Sequence, residues 1–123
     1  MTSEDYTKLF SDMDETEQFD FLFRKGICGF PDEGLINDNN KIPGCSTSIW
    51  LIVESAEGKR HIHAWSDSSL VNGVLKILVE LNDGCSVRGQ IKSEFINEIK
   101  ETVIYSDVRK NGLRKCIEII RNA

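Results

Sequence analysis

The residues best suited to chemistry in this sequence are its cysteines, Cys28, Cys45, Cys85 and Cys116. A thiolate can act as a nucleophile or bind a metal, and its reactivity depends on its surroundings. Successive cysteines are 17, 40 and 31 residues apart, so the chain lacks the CxxC pairs that are typical of zinc knuckles and ribbons. The spacing therefore favours individual thiols over a cysteine metal site.

Cys45 differs from the others because loop-forming residues surround it. It follows Pro43 and Gly44, precedes Ser46, and stands just ahead of a segment rich in β-branched and aromatic residues. Proline fixes one backbone angle and glycine permits close backbone approach, so we expect a constrained turn that presents the thiol. Nearby hydroxyl and backbone N–H groups could stabilise a thiolate. The simpler alternative is a small residue that fills a loop.

The remaining cysteines have less reactive contexts. Cys28 and Cys116 fall among apolar helical positions, where we expect each to pack in the core as a small hydrophobic residue. Cys85 follows Asp83 and Gly84 in a turn, so we expect it to be exposed, with a thiolate disfavoured by the acidic charge before it.

Two histidines and one arginine complete the candidates. His61 and His63 share one face of a predicted strand, but two ligands without a third do not complete a metal site. We therefore expect no bound metal, no cluster and no cofactor. Arg109 lies in the first turn of a predicted helix, where a cation opposes the helix dipole. That placement suggests a binding role, and a surface salt bridge is the alternative.

Two helices are predicted N-terminal to Cys45. Ser3 is expected to cap the first, near residues 4–12. Asp14 and Glu17 form the Asp version of a capping box, so the second should begin at Glu15. Its expected core-facing side follows helical spacing and comprises Phe19, Leu22, Phe23 and Ile27.

After the Cys45 segment, the pattern predicts a hairpin followed by helices. Residues 48–54 and 60–65 flank a turn at Glu57-Gly58, as in an antiparallel hairpin. Ser66 or Asp67 should cap a strongly apolar central helix, followed by a weaker helix over 93–102 and a last helix over 107–121. We predict an α+β fold with a small antiparallel sheet packed against helices, as a single domain over residues 1–123.

Composition excludes several classes of function. The 123 residues carry a net charge of −5, whereas a nucleic-acid-binding protein needs an excess of positive charge. No apolar run approaches the ~20 residues that cross a bilayer, so we expect no membrane association. The acidic, polar start resembles neither a secretory signal nor a transit peptide. We therefore expect a cytoplasmic protein whose thiols are reduced.

Three segments, in this order and spacing, resemble one known family. Residues 40–51, NKIPGCSTSIWL, resemble an NKVxGCQSxVWL segment; residues 66–73, SDSSLVNG, resemble SDAxIVKG; residues 109–113, RKNGL, resemble SRxNGL. These are segments of the SufE family, the sulfur-acceptor partners of cysteine desulfurases. Ser46 and Thr47 depart from the family's Gln-Ser, which bears on any amide contact there.

The resemblance implies a fold similar to that of IscU-like proteins and a role for Cys45 as the persulfide-carrying residue. The Cys45 thiolate would take sulfur from a SufS-type desulfurase, stimulate that enzyme and relay the sulfur to the SufBCD scaffold. Such a relay turns over only with the desulfurase. Gly44, Ser46, Asp67 and Arg109 are expected to support the loop or bind the partner.

Two other functions stay open. An IscU-like cluster scaffold would need three cysteines and a further ligand at one site. A desulfurase-binding module would need no thiol chemistry at all. The chain lacks the size and the lysine context of a pyridoxal-phosphate enzyme, so we do not expect it to be the desulfurase itself.

Overall fold

The structure is a computed structural model that describes residues 1–44, 47–104 and 107–123, except for the side chains of residues 107–109. Within those ranges the elements are α1 (Ser3–Asp12), α2 (Glu15–Gly26), β1 (Ile49–Ala56), β2 (Lys59–Ser66), α3 (Ser69–Asn82) and α4 (Asp107–Arg121), with short 3-10 turns at Asp38–Asn40 and Glu94–Glu98. The predicted α+β class is confirmed.

The predicted hairpin is confirmed. Strands β1 and β2 pair antiparallel, and Glu57 and Gly58, with φ of 55° and 75°, form the turn between them. Two consecutive positive φ angles are the geometry of a type I′ turn, whose twist matches that of the strands. Ile49, Leu51 and Ile62 are buried, so one face of the hairpin contributes to the core.

Helix α3 lies at the centre of the core, as its apolar sequence predicts. It crosses α2 very closely at two glycines. An alanine Cβ at Gly26 would lie 1.7 Å from the Ser69 carbonyl oxygen, and one at Gly73 would lie 2.3 Å from that of Leu22. Glycine is therefore required at both positions for the two helices to pack.

The predicted caps of α1 and α3 are each wrong by one or two residues. Thr2, not Ser3, caps α1, and its hydroxyl accepts the Asp5 N–H. Ser68, not Ser66 or Asp67, caps α3, and its hydroxyl accepts the Val71 N–H at 3.4 Å. In both helices the capping hydroxyl accepts the backbone N–H of the residue three positions later, which has no partner within the helix.

Helix α2 begins at Glu15 behind the Asp14–Glu17 capping box, as predicted, but its predicted core-facing side is wrong. Leu22 is buried, whereas Phe19, Phe23 and Ile27 are 46%, 40% and 56% exposed. Gln18 is buried instead: its amide donates to the Phe10 and Glu98 carbonyls and accepts the Lys100 N–H. A polar side chain is stable in the core when each of its groups is hydrogen-bonded.

The predicted helix over 93–102 is also wrong, because only Glu94–Glu98 is helical, as a 3-10 turn. Phe95 in that turn packs its ring against Tyr6 and Phe10 of α1, so aromatic contacts hold the segment in place without an α-helix. The last helix has the predicted bounds, and Leu113, Cys116 and Ile120 bury one side of it.

A buried arginine holds the turn after α3. Arg60 is 2% exposed, and its guanidinium donates to the carbonyl oxygens of Ser86, Val87 and Gly89, each at 3.0 Å. These bonds fasten residues 86–89 to the start of β2.

Candidate functional site

The Cys45 loop, defined as residues 43–48, is closed at its base by backbone pairing. Cys45 and Ser46 themselves lie outside the described residues. The Ile42 N–H donates to the Ile49 carbonyl at 2.8 Å, and Lys41 and Trp50 form an antiparallel bridge. Because Ile42 and Ile49 are buried, the loop leaves the core and re-enters it at adjacent points.

The exit of the loop is held by the end of β2. The Ser48 carbonyl accepts a hydrogen bond from the Ser66 hydroxyl at 2.8 Å and another from the Asp67 N–H at 3.3 Å. The structure thus brings the candidate Asp67 to the loop through its backbone, while its side chain is exposed. Ser66 also holds the loop, a role for which the sequence analysis did not name it.

The entry of the loop is held by α4. The Lys115 ammonium donates to the Pro43 carbonyl at 2.9 Å, across 72 residues of sequence. Gly44 has a φ of 76°, in the left-handed region that favours glycine, and is exposed like Pro43. Lys115 was missed by the sequence analysis, because a single lysine on a polar helix face has no pattern that distinguishes it.

An open groove of about 540 Å³ lies beside this entry. Its lining includes Ile42, Pro43, Val53, Lys115, Glu118 and Ile119. The groove therefore joins the loop, the outer part of β1 and the last turns of α4 in one surface.

Arg109 belongs to the first turn of α4, and its side chain lies outside the described residues. It precedes Lys115 by six residues, or about 9 Å along a helix axis. Nearby, the Lys110 ammonium bonds to the Glu101 carboxylate at 2.9 Å, and this hydrogen bond lowers the pKa of Glu101. That Arg109 faces the Cys45 loop stays a prediction.

The three described cysteines differ in their exposure to solvent. Cys116 is fully buried, as predicted, and Cys85 is half-buried, with its thiol donating to the Leu81 carbonyl. Cys28 was expected in the core but is exposed, and its thiol donates to the Arg24 carbonyl. The difference arises because α2 turns the side that includes Ile27 to solvent.

Metal-ligating residues do not converge in the described part of the chain, where no group of three His, Cys, Asp or Glu side chains is placed to hold an ion. His63 bonds through Nδ1 to the Asp32 carboxylate at 2.6 Å, on an exposed surface. Among the described helices, none is long and apolar enough to cross a membrane.

Comparison with known proteins links most of the chain to one family. A family model described as "SufE: Fe-S metabolism associated domain" matches residues 7–123. A local match to chloroplastic quinolinate synthase of Nicotiana tabacum has 41% identity over 49 residues, which is 38% of this chain and 7% of that protein. The chain thus spans a small part of that relative.

A solved structure has the same fold. The solution structure of a hypothetical protein from Thermus thermophilus superposes with a TM-score of 0.73 and covers 98% of this chain and 90% of the other. At 14% identity the likeness concerns the fold, and it extends over nearly the whole of both chains.

Proposed function

This chain belongs to the SufE family of Fe-S metabolism associated domains, and on that premise we propose that Cys45 accepts persulfide sulfur from a SufS-type cysteine desulfurase. One observation supports this above the others. The loop around Cys45 is closed by the Ile42–Ile49 backbone bond at 2.8 Å, while Pro43 and Gly44 remain exposed. A loop that is closed at its base and exposed ahead of the nucleophile is suited to a reaction with a partner protein.

The proposed step is an exchange between a thiolate and a persulfide. The Cys45 thiol first loses its proton to solvent, and the thiolate then attacks the outer sulfur of the desulfurase persulfide. A sulfur–sulfur bond forms on Cys45 as the bond to the desulfurase cysteine breaks, and that cysteine leaves as a thiolate. One sulfur atom moves without net oxidation or reduction of the pair.

The proposal includes the partners on either side of this step. Docking of the single domain stimulates the desulfurase in the cytoplasm, and the SufBCD scaffold receives the sulfur. Gly44, Ser46, Asp67 and Arg109 support the loop or bind the partner. An IscU-like scaffold is less favoured, because it would need three cysteines and a further ligand at one site, whereas Cys116 is fully buried in the core and Cys28 is exposed.

The test uses intact mass spectrometry after incubation with a SufS-type desulfurase and cysteine. Wild type should gain the mass of added sulfur, mapped to Cys45, and Cys45→Ser should gain none. Cys28→Ser is the matched control, since Cys28 is an exposed thiol outside the loop, and it should still gain sulfur.

Three results would count against the proposal. A stable persulfide on Cys45→Ser would assign the chemistry to another thiol. Binding to the desulfurase without any gain of sulfur would identify an interaction module. Stoichiometric iron or zinc in protein purified with and without oxygen would favour the scaffold.

A further inference from the structure

We propose that Lys115 is a positioning residue for sulfur transfer, whose ammonium fixes the backbone immediately before Cys45. The effect on sulfur transfer rests on the proposed function, whereas the contact between Lys115 and Pro43 does not. The Lys115 ammonium donates to the Pro43 carbonyl at 2.9 Å, and Cys45 is two residues further along the chain.

The helix that carries Lys115 is packed against the core. Its neighbours Leu113 and Cys116 are 1% and 0% exposed, and Ile120 is 1% exposed one turn further on. Helix α4 also packs on β1, the strand that the Cys45 loop enters. The Lys115 side chain therefore links the Cys45 loop to a helix whose position is fixed by the core.

The ammonium of Lys115 has no competing carboxylate among the described side chains, since none lies within 4.0 Å of its nitrogen. Even Glu118, which lines the same groove, forms no such pair with it. A hydrogen bond with a charged donor is roughly twice as strong as one between neutral groups. The hydrogen bond to the Pro43 carbonyl is therefore the main contact that holds the Lys115 ammonium in place.

The glycine at position 44 leaves space for the contact between Lys115 and Pro43. An alanine Cβ at this position would lie 2.9 Å from the Lys115 Nζ, tighter than side-chain atoms normally approach. Its φ of 76° independently disfavours other residues. Glycine before the nucleophile thus leaves space for the lysine from α4 as well as for the turn.

Positioning matters for this reaction because the attacking sulfur must approach along the sulfur–sulfur bond that breaks. A displacement of about 1 Å from the reactive geometry can lower a rate by about 100-fold. A loop anchored on both sides of its nucleophile populates that geometry more often. Lys115 provides the anchor on the entry side, and Ser66 and Asp67 provide it on the exit side.

The test compares Lys115→Met, which keeps the length of the stem and removes the donor, with Lys115→Arg, which retains donors. Single-turnover transfer from a persulfurated SufS-type desulfurase should be about tenfold slower for Lys115→Met at saturating desulfurase. The half-saturating concentration and the melting temperature should stay unchanged. Lys115→Arg should recover most of the rate.

Arg114→Met is the matched control. Arg114 is the exposed cation next to Lys115, and its described hydrogen bond, to Asn111 at 3.5 Å, stays within α4. Its removal changes the charge of the helix by the same amount without touching the loop. We expect the maximal rate to stay at the wild-type value.

A second measurement separates this inference from the proposed function. Hydrogen exchange of the peptide covering residues 41–50 needs no desulfurase and should become several-fold faster in Lys115→Met. Unchanged exchange would overturn the anchoring role, whatever the fate of sulfur. Faster exchange with an unchanged transfer rate, or a lower melting temperature that Lys115→Arg does not restore, would overturn the positioning role. Failure of wild type to gain sulfur would instead refute the proposed function, and the positioning role with it.

Discussion

Two glycines with almost the same backbone angle lie at opposite ends of β1 and have different surroundings. Gly58, with a φ of 75°, belongs to the turn between β1 and β2, and a Cβ there would meet nothing within 4 Å. Gly44, with a φ of 76°, precedes Cys45, and a Cβ there would lie 2.9 Å from the Lys115 Nζ. The first turn depends on local geometry alone, whereas the second also depends on a distant helix.

The contrast shows how a loop proposed for chemistry differs from one that only connects strands. A two-residue hairpin turn is defined by its own backbone angles and the pairing of its strands. The Cys45 loop is closed by similar pairing, but side chains from β2 and α4 hold its two ends. Its geometry can therefore be altered by substitutions far away in the sequence.

The largest expected effect on sulfur transfer separates the matched pair Gly44→Ala and Gly58→Ala. Both place a Cβ at a positive φ, so each should lower the free energy of unfolding by about 1–2 kcal/mol. Only Gly44→Ala also displaces Lys115, so only it should slow sulfur acceptance, by about tenfold. Urea unfolding and single-turnover transfer measure the two quantities. Equal transfer rates would show that the two glycines are equivalent.

A smaller effect on sulfur transfer is expected from Ser66→Ala at the exit of the loop. Ser66 is 3% exposed, and its hydroxyl donates to the Ser48 carbonyl and accepts the Ser68 N–H. Its loss should lower the free energy of unfolding by about 1–3 kcal/mol and slow sulfur transfer by roughly threefold, since the Asp67 N–H still holds Ser48. Ser55→Ala, on an exposed part of β1 near the other turn, is the control and should change neither. A transfer rate unaffected in Ser66→Ala would leave the entry side as the essential anchor.

No effect on sulfur transfer is expected at the opposite end of α3 from Ser66 and Asp67, where Tyr6 donates to the Glu80 carboxylate at 2.6 Å. Burial, then this hydrogen bond and the charge of Glu80, raise the pKa of Tyr6 above its usual 10. Above pH 10 the unfolded chain loses the phenol proton while the folded chain keeps it, so stability falls as pH rises. Tyr6→Phe should flatten this alkaline fall in urea unfolding and leave transfer at neutral pH unchanged. An identical alkaline profile would contradict the assignment.

Sequence reasoning worked best where the determining contacts are local, although it missed the equally local caps Thr2 and Ser68 by one or two residues. The Asp14–Glu17 box and the Glu57-Gly58 turn depend on residues within a few positions of one another. The Cys45 loop was located for the same reason, because proline and glycine constrain their own backbone. The roles of Cys45 and Arg109 stay predictions.

Sequence reasoning failed where the contact that determines the structure joins residues far apart in the sequence. Periodicity defines an apolar side of α2 but not which side is covered, and the contact with α3 goes through Gly26 and Gly73, which contribute no hydrophobic signal. Gln18 is buried because its partners, Phe10, Glu98 and Lys100, lie on other segments. Lys115 was missed for the same reason, since only folding brings it to Pro43.

The bond between Lys115 and Pro43 also has a consequence for the order of synthesis. The Pro43 carbonyl is made 72 residues before its donor, an interval of roughly 4–14 s at the usual rate of translation. Cys45, Ser66 and Asp67 are all synthesised within that interval, so the exit of the loop can be held before its entry. The last described restraint on this loop therefore cannot form until α4 has been synthesised.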